Sequence, residues 1–317
     1  MKSKTIIKIL RERMDAWLES IEDQAVRDLV AKNSIITGGC IASMLLREKV
    51  NDFDIYFRNL ETAKAVAEYY VARFKPKTAT GIEAAISVEV DESVPPRVKI
   101  KVKSAGIASE EGTAKPYEYF ETSTDVRTAG YVAEVMGDPG DIEDRMEQTE
   151  KLAQQAEDDD GLPKFRPVFM STNAITLSNR VQVVLRFYGE AEQIHANYDF
   201  VHCTNYWTSH DNKLVLHPEA LEALLAKELR YQGSKYPVCS VFRLRKFITR
   251  GWTVNAGQIL KMLMQVSKLD LEDPVVLEDQ LTGVDCAYFA DVLARLKERD
   301  PTKINTAYLI EIIDRMF

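Results

Sequence analysis

Asp52 and Asp54 stand thirteen and fifteen positions after the second member of a glycine pair, Gly38-Gly39. In an extended chain, side chains at i and i+2 point to the same side, some ~7 Å apart. Two carboxylates held that way can grip one divalent cation or two adjacent ones. Glycines between a strand and a helix let a ligand approach the backbone closely, and the N–H groups opening the helix favour an anion, typically phosphate. Together these residues suit phosphoryl chemistry, in which a cation neutralises a triphosphate and an attacking hydroxyl is aligned with it. Asp52 and Asp54 also read as surface carboxylates on an edge strand. Aspartate is depleted in strands, however, and this pair is interleaved with Phe53, Ile55, Tyr56 and Phe57.

The elements that must hold these residues are legible around them. Residues 4–31 repeat apolar positions at three- and four-residue steps (Ile6, Ile7, Leu10, Met14, Leu18, Ile21, Val26, Leu29), which predicts one long amphipathic helix. Asn33-Ser34 ends it. Ile35-Ile36-Thr37 reads as a short buried strand, 40–48 as a helix and 52–57 as a second strand. The alternation in that strand places Asp52, Asp54 and Tyr56 on one face and Phe53, Ile55 and Phe57 on the other. A helix over 60–74 and a hairpin over 84–104, turning at 93–96, follow. Strand signals return at 168–177, 180–188 and 198–204, the last opening on Asp199. From His217 onward the pattern is helical, at 218–231, 238–251, 254–268, 286–298 and 304–316. The expected fold is α+β. A mixed sheet with flanking helices spans 1–210, carries an insertion at about 58–168, and is followed by an all-helical domain over 211–317.

The run from Thr37 through Ile55 resembles the nucleotidyltransferase fold of the DNA polymerase β superfamily. It is most similar to the head domain of bacterial poly(A) polymerases and CCA-adding enzymes. That pattern is a glycine pair, a helix carrying two leucines, here Leu45-Leu46, then Asp-x-Asp at this same spacing. The arginine and aspartate usual on the helix are replaced by Ala42-Ser43, at a position that often touches substrate. Further on, 169–175 is similar to the family strand ending Asn-Ala, here Asn173-Ala174. Residues 242–252 resemble a basic helix flanking the nucleotide site, with Arg243, Lys246 and Arg250 at its basic positions. The resemblance spans residues 35–58, 168–177 and 238–252. It implies that Asp52 and Asp54 bind Mg²⁺ (or Mn²⁺), with Asp199 as a third, catalytic carboxylate and metal ligand. It also implies that Gly38, Gly39, Ser43, Arg243, Lys246 and Arg250 hold an NTP, expected to be ATP. The expected reaction moves NMP to an acceptor hydroxyl, with an RNA 3′ end favoured, and releases pyrophosphate. A protein or small-molecule acceptor, or a non-catalytic nucleotide-binding descendant, stands as the alternative.

Charge neither favours nor excludes nucleic acid as a whole. The net charge is −8, and residues 137–160 carry ten acids against two bases, which accounts for all of it. That segment reads as peripheral and solvated. Residues 227–250 carry seven bases against Glu228 alone, a local basic surface of the kind phosphate ligands need. The basic face of 97–103 (Arg97, Lys99, Lys101, Lys103) reads as edge protection. Four dispersed cysteines form no CxxC pair, and the four histidines match no zinc spacing. No apolar run is long enough to span a membrane. The first residues lack the apolar core of a secretory leader, so a cytoplasmic setting is expected.

Overall fold

The computed structural model describes residues 1–74, 85–91, 95–103, 122–123, 164–170, 173–271, 273, 276 and 280. The acidic segment 137–160 and the helices expected at 286–298 and 304–316 lie outside the described residues.

The first expected helix is two helices, α1 (Ser3–Ser20) and α2 (Gln24–Asn33). Apolar steps run through the junction, but Asp23 starts a new helix by accepting from the N–H groups of Ala25 and Val26. β1 (Ser34–Thr37) is buried along its whole length. It leads through Gly38 into α3 (Gly39–Leu46), then β2 (Phe53–Phe57) and α4 (Leu60–Arg73). The hairpin forms as β3 (Ala85–Asp91) and β4 (Arg97–Lys103), paired from Ala85–Lys103 to Asp91–Arg97. Val98 and Ile100 are buried under it, while Arg97 and Lys99 both pair with Asp91.

The main sheet has the order β10-β9-β1-β2-β8-β7-β6-β5 among the described residues. Its remaining strands are β5 (Thr122–Ser123), β6 (Pro167–Met170), β7 (Ala174–Leu177), β8 (Val181–Tyr188), β9 (Tyr206–Thr208) and β10 (Lys213–Val215). The span read as one strand at 168–177 is thus the antiparallel pair β6–β7. β2 runs parallel to β8, and the other pairings are antiparallel, so the sheet is mixed. The strand expected at 198–204 is instead a bend followed by a 3-10 turn, Val201–Cys203. β10 joins the sheet beyond the boundary expected at 210.

One face of the sheet carries the large core. Phe53, Ile55, Phe57, Val181, Val183 and Leu185 pack there against Leu10, Met14 and Trp17 of α1, Val30 of α2 and Val66 and Tyr70 of α4. Trp17 Nε1 donates to Tyr70 Oη at 2.7 Å, joining α1 to α4. On the other side lie α5 (Ala191–His195), α6 (Pro218–Ala226), α7 (Pro237–Thr249) and α8 (Ala256–Val266). Ile194 of α5 packs with Ile35, Tyr56 and Val184, and a second core joins α6, α7 and α8 to α3. Ala42 meets Phe200, Leu224, Leu229, Tyr231, Trp252 and Met262 there. This core fixes α7 opposite the strand that bears Asp54.

Candidate functional site

The site begins at the end of β1. Thr37 closes the strand with its hydroxyl against His195 Nε2 at 2.8 Å and the Asn205 carbonyl at 2.9 Å. Gly38 then takes φ 88°, ψ −150°, a conformation essentially restricted to glycine. Its N–H donates to the Cys203 carbonyl at 3.2 Å. A Cβ at Gly38 would stand 3.0 Å from Asp54 Oδ2 and 3.5 Å from Tyr198 Oη. Backbone, carboxylate and phenol therefore converge where any side chain would intrude. At Gly39 a Cβ would meet nothing within 4 Å, so this residue, which opens α3, borders open space.

β2 pairs with β1 in the register Thr37–Asp54 and Ile35–Tyr56. Phe53, Ile55 and Phe57 enter the large core, and Asp54 and Tyr56 face the other way, with Asp52 just ahead of the strand. Negative charge is concentrated there. The buried Cys40 thiol is pushed well above its ordinary range by burial, then by Asp54 and Asp52. Tyr198 is raised likewise, by burial first and then by Tyr56 and Asp54, so its phenol stays protonated.

These groups open on a cleft of about 240 Å³. Its lining includes all nine residues singled out in the sequence: Gly38, Gly39, Ser43, Asp52, Asp54, Asp199, Arg243, Lys246 and Arg250. The opposite wall is built from the 3-10 turn and α7. Arg243 Nη1 donates to Asp199 Oδ2 at 2.7 Å, and the other Asp199 oxygen accepts the Phe200 N–H at 3.0 Å. Arg250 Nη2 reaches Glu48 Oε2 at 2.9 Å, and Lys227 reaches the other Glu48 oxygen at 3.4 Å. Asp199 is 7% exposed and sits in a bend rather than opening a strand. Asp199, expected as a third metal ligand, thus stands in an ion pair with Arg243. No group of three His, Cys, Asp or Glu side chains is placed to hold one metal among the described residues.

Two further cleft residues had no sequence signal. Tyr236, the N-cap of α7, packs over the Arg186 guanidinium, 4.7 Å from ring centroid to Cζ. Arg186 in turn donates to Asn173 Oδ1 at 3.1 Å. The Asn173-Ala174 echo is thus a buried brace beneath the cleft rather than part of its lining. His202 belongs to the cleft wall between Phe247 and Trp252. Two of the aromatic residues that surround it come from positions 45 and 50 residues later, which no local pattern reveals.

The donor set fits Mg²⁺. That ion is usually held by one or two carboxylates together with substrate phosphates, and Asp52 and Asp54 border the same cleft as three basic side chains.

Comparison with known proteins adds a family. No curated protein matches the chain. Among solved structures, a Thermotoga maritima CCA-adding enzyme complexed with tRNA is similar at 12% identity and a TM-score of 0.36, covering 92% of this chain and 57% of that one. The chain thus spans little more than half the length of that enzyme. A family model matches residues 8–227, from α1 to the end of α6 and through the glycine turn and both aspartates, and on that match the chain belongs to the Gabija anti-defense 2 family, Gad2.

Proposed function

We propose that this chain is a metal-dependent nucleotidyltransferase that moves NMP from an NTP, ATP in the first instance, to an acceptor hydroxyl with release of pyrophosphate. The observation that carries this reading is convergence. Residues chosen from four separated stretches, 38–43, 52–54, 199 and 243–250, line one cleft. The pairing of a glycine turn and two carboxylates with a basic wall is what a nucleoside triphosphate requires.

Asp52 and Asp54 would hold Mg²⁺, which when bound neutralises triphosphate charge and the developing pyrophosphate. Gly38 and Gly39 admit the phosphates to the backbone, and Ser43, one turn on along α3, lies on the same border of the cleft. Arg243, Lys246 and Arg250 supply positive charge from α7, at i, i+3 and i+7 of one helical face. Asp199 orients Arg243 through the 2.7 Å ion pair, and by that route serves the nucleotide rather than the cation. An RNA 3′ end is the acceptor we favour, on the sequence resemblance. The family's name points to a role against the Gabija defence, to which a transferred nucleotide would be the chemical means.

The test is incubation of the full chain with each α-labelled NTP and Mg²⁺, in the presence of RNA or of Gabija proteins, followed by location of the label. Label that becomes covalently attached and is lost in Asp54→Asn supports the reading. No transfer to either acceptor, with no pyrophosphate formed, overturns it.

A further inference from the structure

Helix α8 is mounted with its apolar side outward. The residues it turns inward are Gln258, Met262 and Gln265, at i, i+4 and i+7. Gln258 Oε1 accepts the Tyr231 N–H at 2.9 Å, and Gln265 Oε1 accepts the Tyr231 hydroxyl at 2.6 Å and the Ser234 N–H at 3.2 Å. Met262 is 1% exposed in the second core. These contacts fix the roll of the helix about its axis. On its outer side Ile259, Leu260, Leu263 and Met264 are 38%, 56%, 55% and 58% exposed, and their three- and four-residue steps make them one patch. A surface helix ordinarily shows the reverse, with its apolar stripe facing the core and its polar face in water. Turning the four apolar side chains inward would break the glutamine bonds, so this patch is left for something else to cover.

Charge and chain path name the occupant. Residues 227–269, which include α7 and α8, carry nine bases against Glu228 alone, and residues 270–291 carry seven acids and no base. Lys261 on α8 and Lys268 just beyond it are exposed. A second copy seated here would add its own lysines to these, like charge against like. The chain itself returns to this end of α8. Gln280 is 4% exposed, its Nε2 donates to the Lys235 carbonyl at 3.0 Å, and its own carbonyl accepts the Cys239 thiol at 2.9 Å. Lys235 adjoins Ser234, which Gln265 of α8 holds. Residues 281–317 therefore set out from beside the C-terminal end of α8. Within them Phe289, Val292, Leu293 and Leu296 recur at i, i+3, i+4 and i+7, one stripe of the helix expected over 286–298. A helix of that length would span ~20 Å, against ~16 Å for α8.

We propose that residues 286–298 dock along the outer face of α8, with Phe289, Val292, Leu293 and Leu296 set against Ile259, Leu260, Leu263 and Met264. Asp285 and Asp291 would then lie where Lys261 and Lys268 supply the opposite charge. The contact presses α8 onto the second core, against which Leu244 and Phe247 of α7 also pack. The segment is thus a brace for the helix that bears Arg243, Lys246 and Arg250, and it is in place with or without a nucleotide.

The experiment is hydrogen exchange read by mass spectrometry on the full chain, as wild type and as Leu260→Ser/Leu263→Ser, with the molar mass of each measured by light scattering. In a wild-type monomer, peptides from 286–298 should exchange at least about tenfold more slowly than an unstructured chain. In the double variant they should exchange within about twofold of an unstructured chain, while α1 and α4 keep their protection. Wild-type 286–298 that exchanges as an unstructured chain overturns the proposal, as does protection that the double variant leaves unchanged. A wild-type dimer that the double variant converts to monomer also overturns it, and makes a second copy the occupant. Should the double variant lose protection throughout, carbodiimide cross-linking of the wild-type monomer decides. Bonds from Lys261 or Lys268 to Asp285, Asp291 or Glu298 support the docking, and their absence overturns it.

Discussion

The two walls of the cleft are built by opposite means. The carboxylate wall is contiguous: Gly38, Gly39, Asp52 and Asp54 lie within seventeen residues, from the turn that opens α3 to β2. Backbone pairing sets its geometry, with Thr37 opposite Asp54 and Ile36 opposite Ile55. The basic wall is assembled from 199–203 and 236–252, and side-chain pairs set its geometry: Arg243 with Asp199, Arg250 with Glu48. A wall made of backbone is ready before a ligand arrives. A wall made of ion pairs has to share its cations with the ligand, so binding there is an exchange of partners.

The largest effect that would test this contrast is at the carboxylates. Asp52→Asn and Asp54→Asn should each lower NMP transfer by a factor on the order of 10² or more and weaken binding of NTP with Mg²⁺, with the thermal midpoint little changed. Near-normal transfer by Asp54→Asn would break the comparison at its root.

Asp199→Asn comes next. Loosening Arg243, which holds the phosphates, should lower transfer by a factor on the order of 10², with weaker NTP binding accounting for part of the loss. Combined with Arg243→Ala, it should cost little more than either change alone, because both remove one interaction. Additive losses would return Asp199 to an independent role, as the third carboxylate the sequence suggested.

A smaller effect concerns acid. His195 and His202 are held near pKa 4 by burial, against about 6.5 when unfolded. Between those values the unfolded chain binds protons that the folded chain refuses. Stability is therefore fully present above pH 6.5 and falls as pH drops towards 4, by at most about 1.4 kcal/mol per pH unit for each histidine. Urea titrations across that window should show the slope. His202→Phe should reduce it by about half, while a slope unchanged by that substitution would mean the group titrates elsewhere.

The smallest effect is expected at Glu48→Gln. The carboxylate is shared by Arg250 and Lys227 at a partly exposed edge, so stability should move by less than about 1 kcal/mol. Release of Arg250 should tighten NTP binding slightly, measured as a lower KM. A weaker affinity would show that Glu48 organises the basic wall instead of competing for it.

What the sequence reveals follows the same division. The strand–glycine–helix–strand unit at 34–57 is readable because its period, its turn and its carboxylates are all local. The α1–α2 break is missed because apolar steps continue through Ile21 and Val26, although Asp23 carries the capping signal. β9 and β10 have three residues each, too few for an alternation to register, yet β9 lies directly beside β1. The bend at Asp199 and the turn at Val201–Cys203 read as a strand because their apolar residues are buried by α6, α7 and Trp252, not by a sheet. His202 is opaque in sequence for the same reason. Its contacts with Phe247 and Trp252 exist in the folded chain alone.

The bond from the Gly38 N–H to the Cys203 carbonyl, with the neighbouring Ile36–Trp207 pairing, joins positions more than 160 residues apart. Closing so long a loop is entropically costly and slow compared with forming α1, α2 or the β3–β4 hairpin. The glycine turn is therefore expected to acquire its final shape later in folding than these local elements. A chain interrupted during synthesis before residue 203 would have both aspartates and the whole carboxylate strand, and still no cleft.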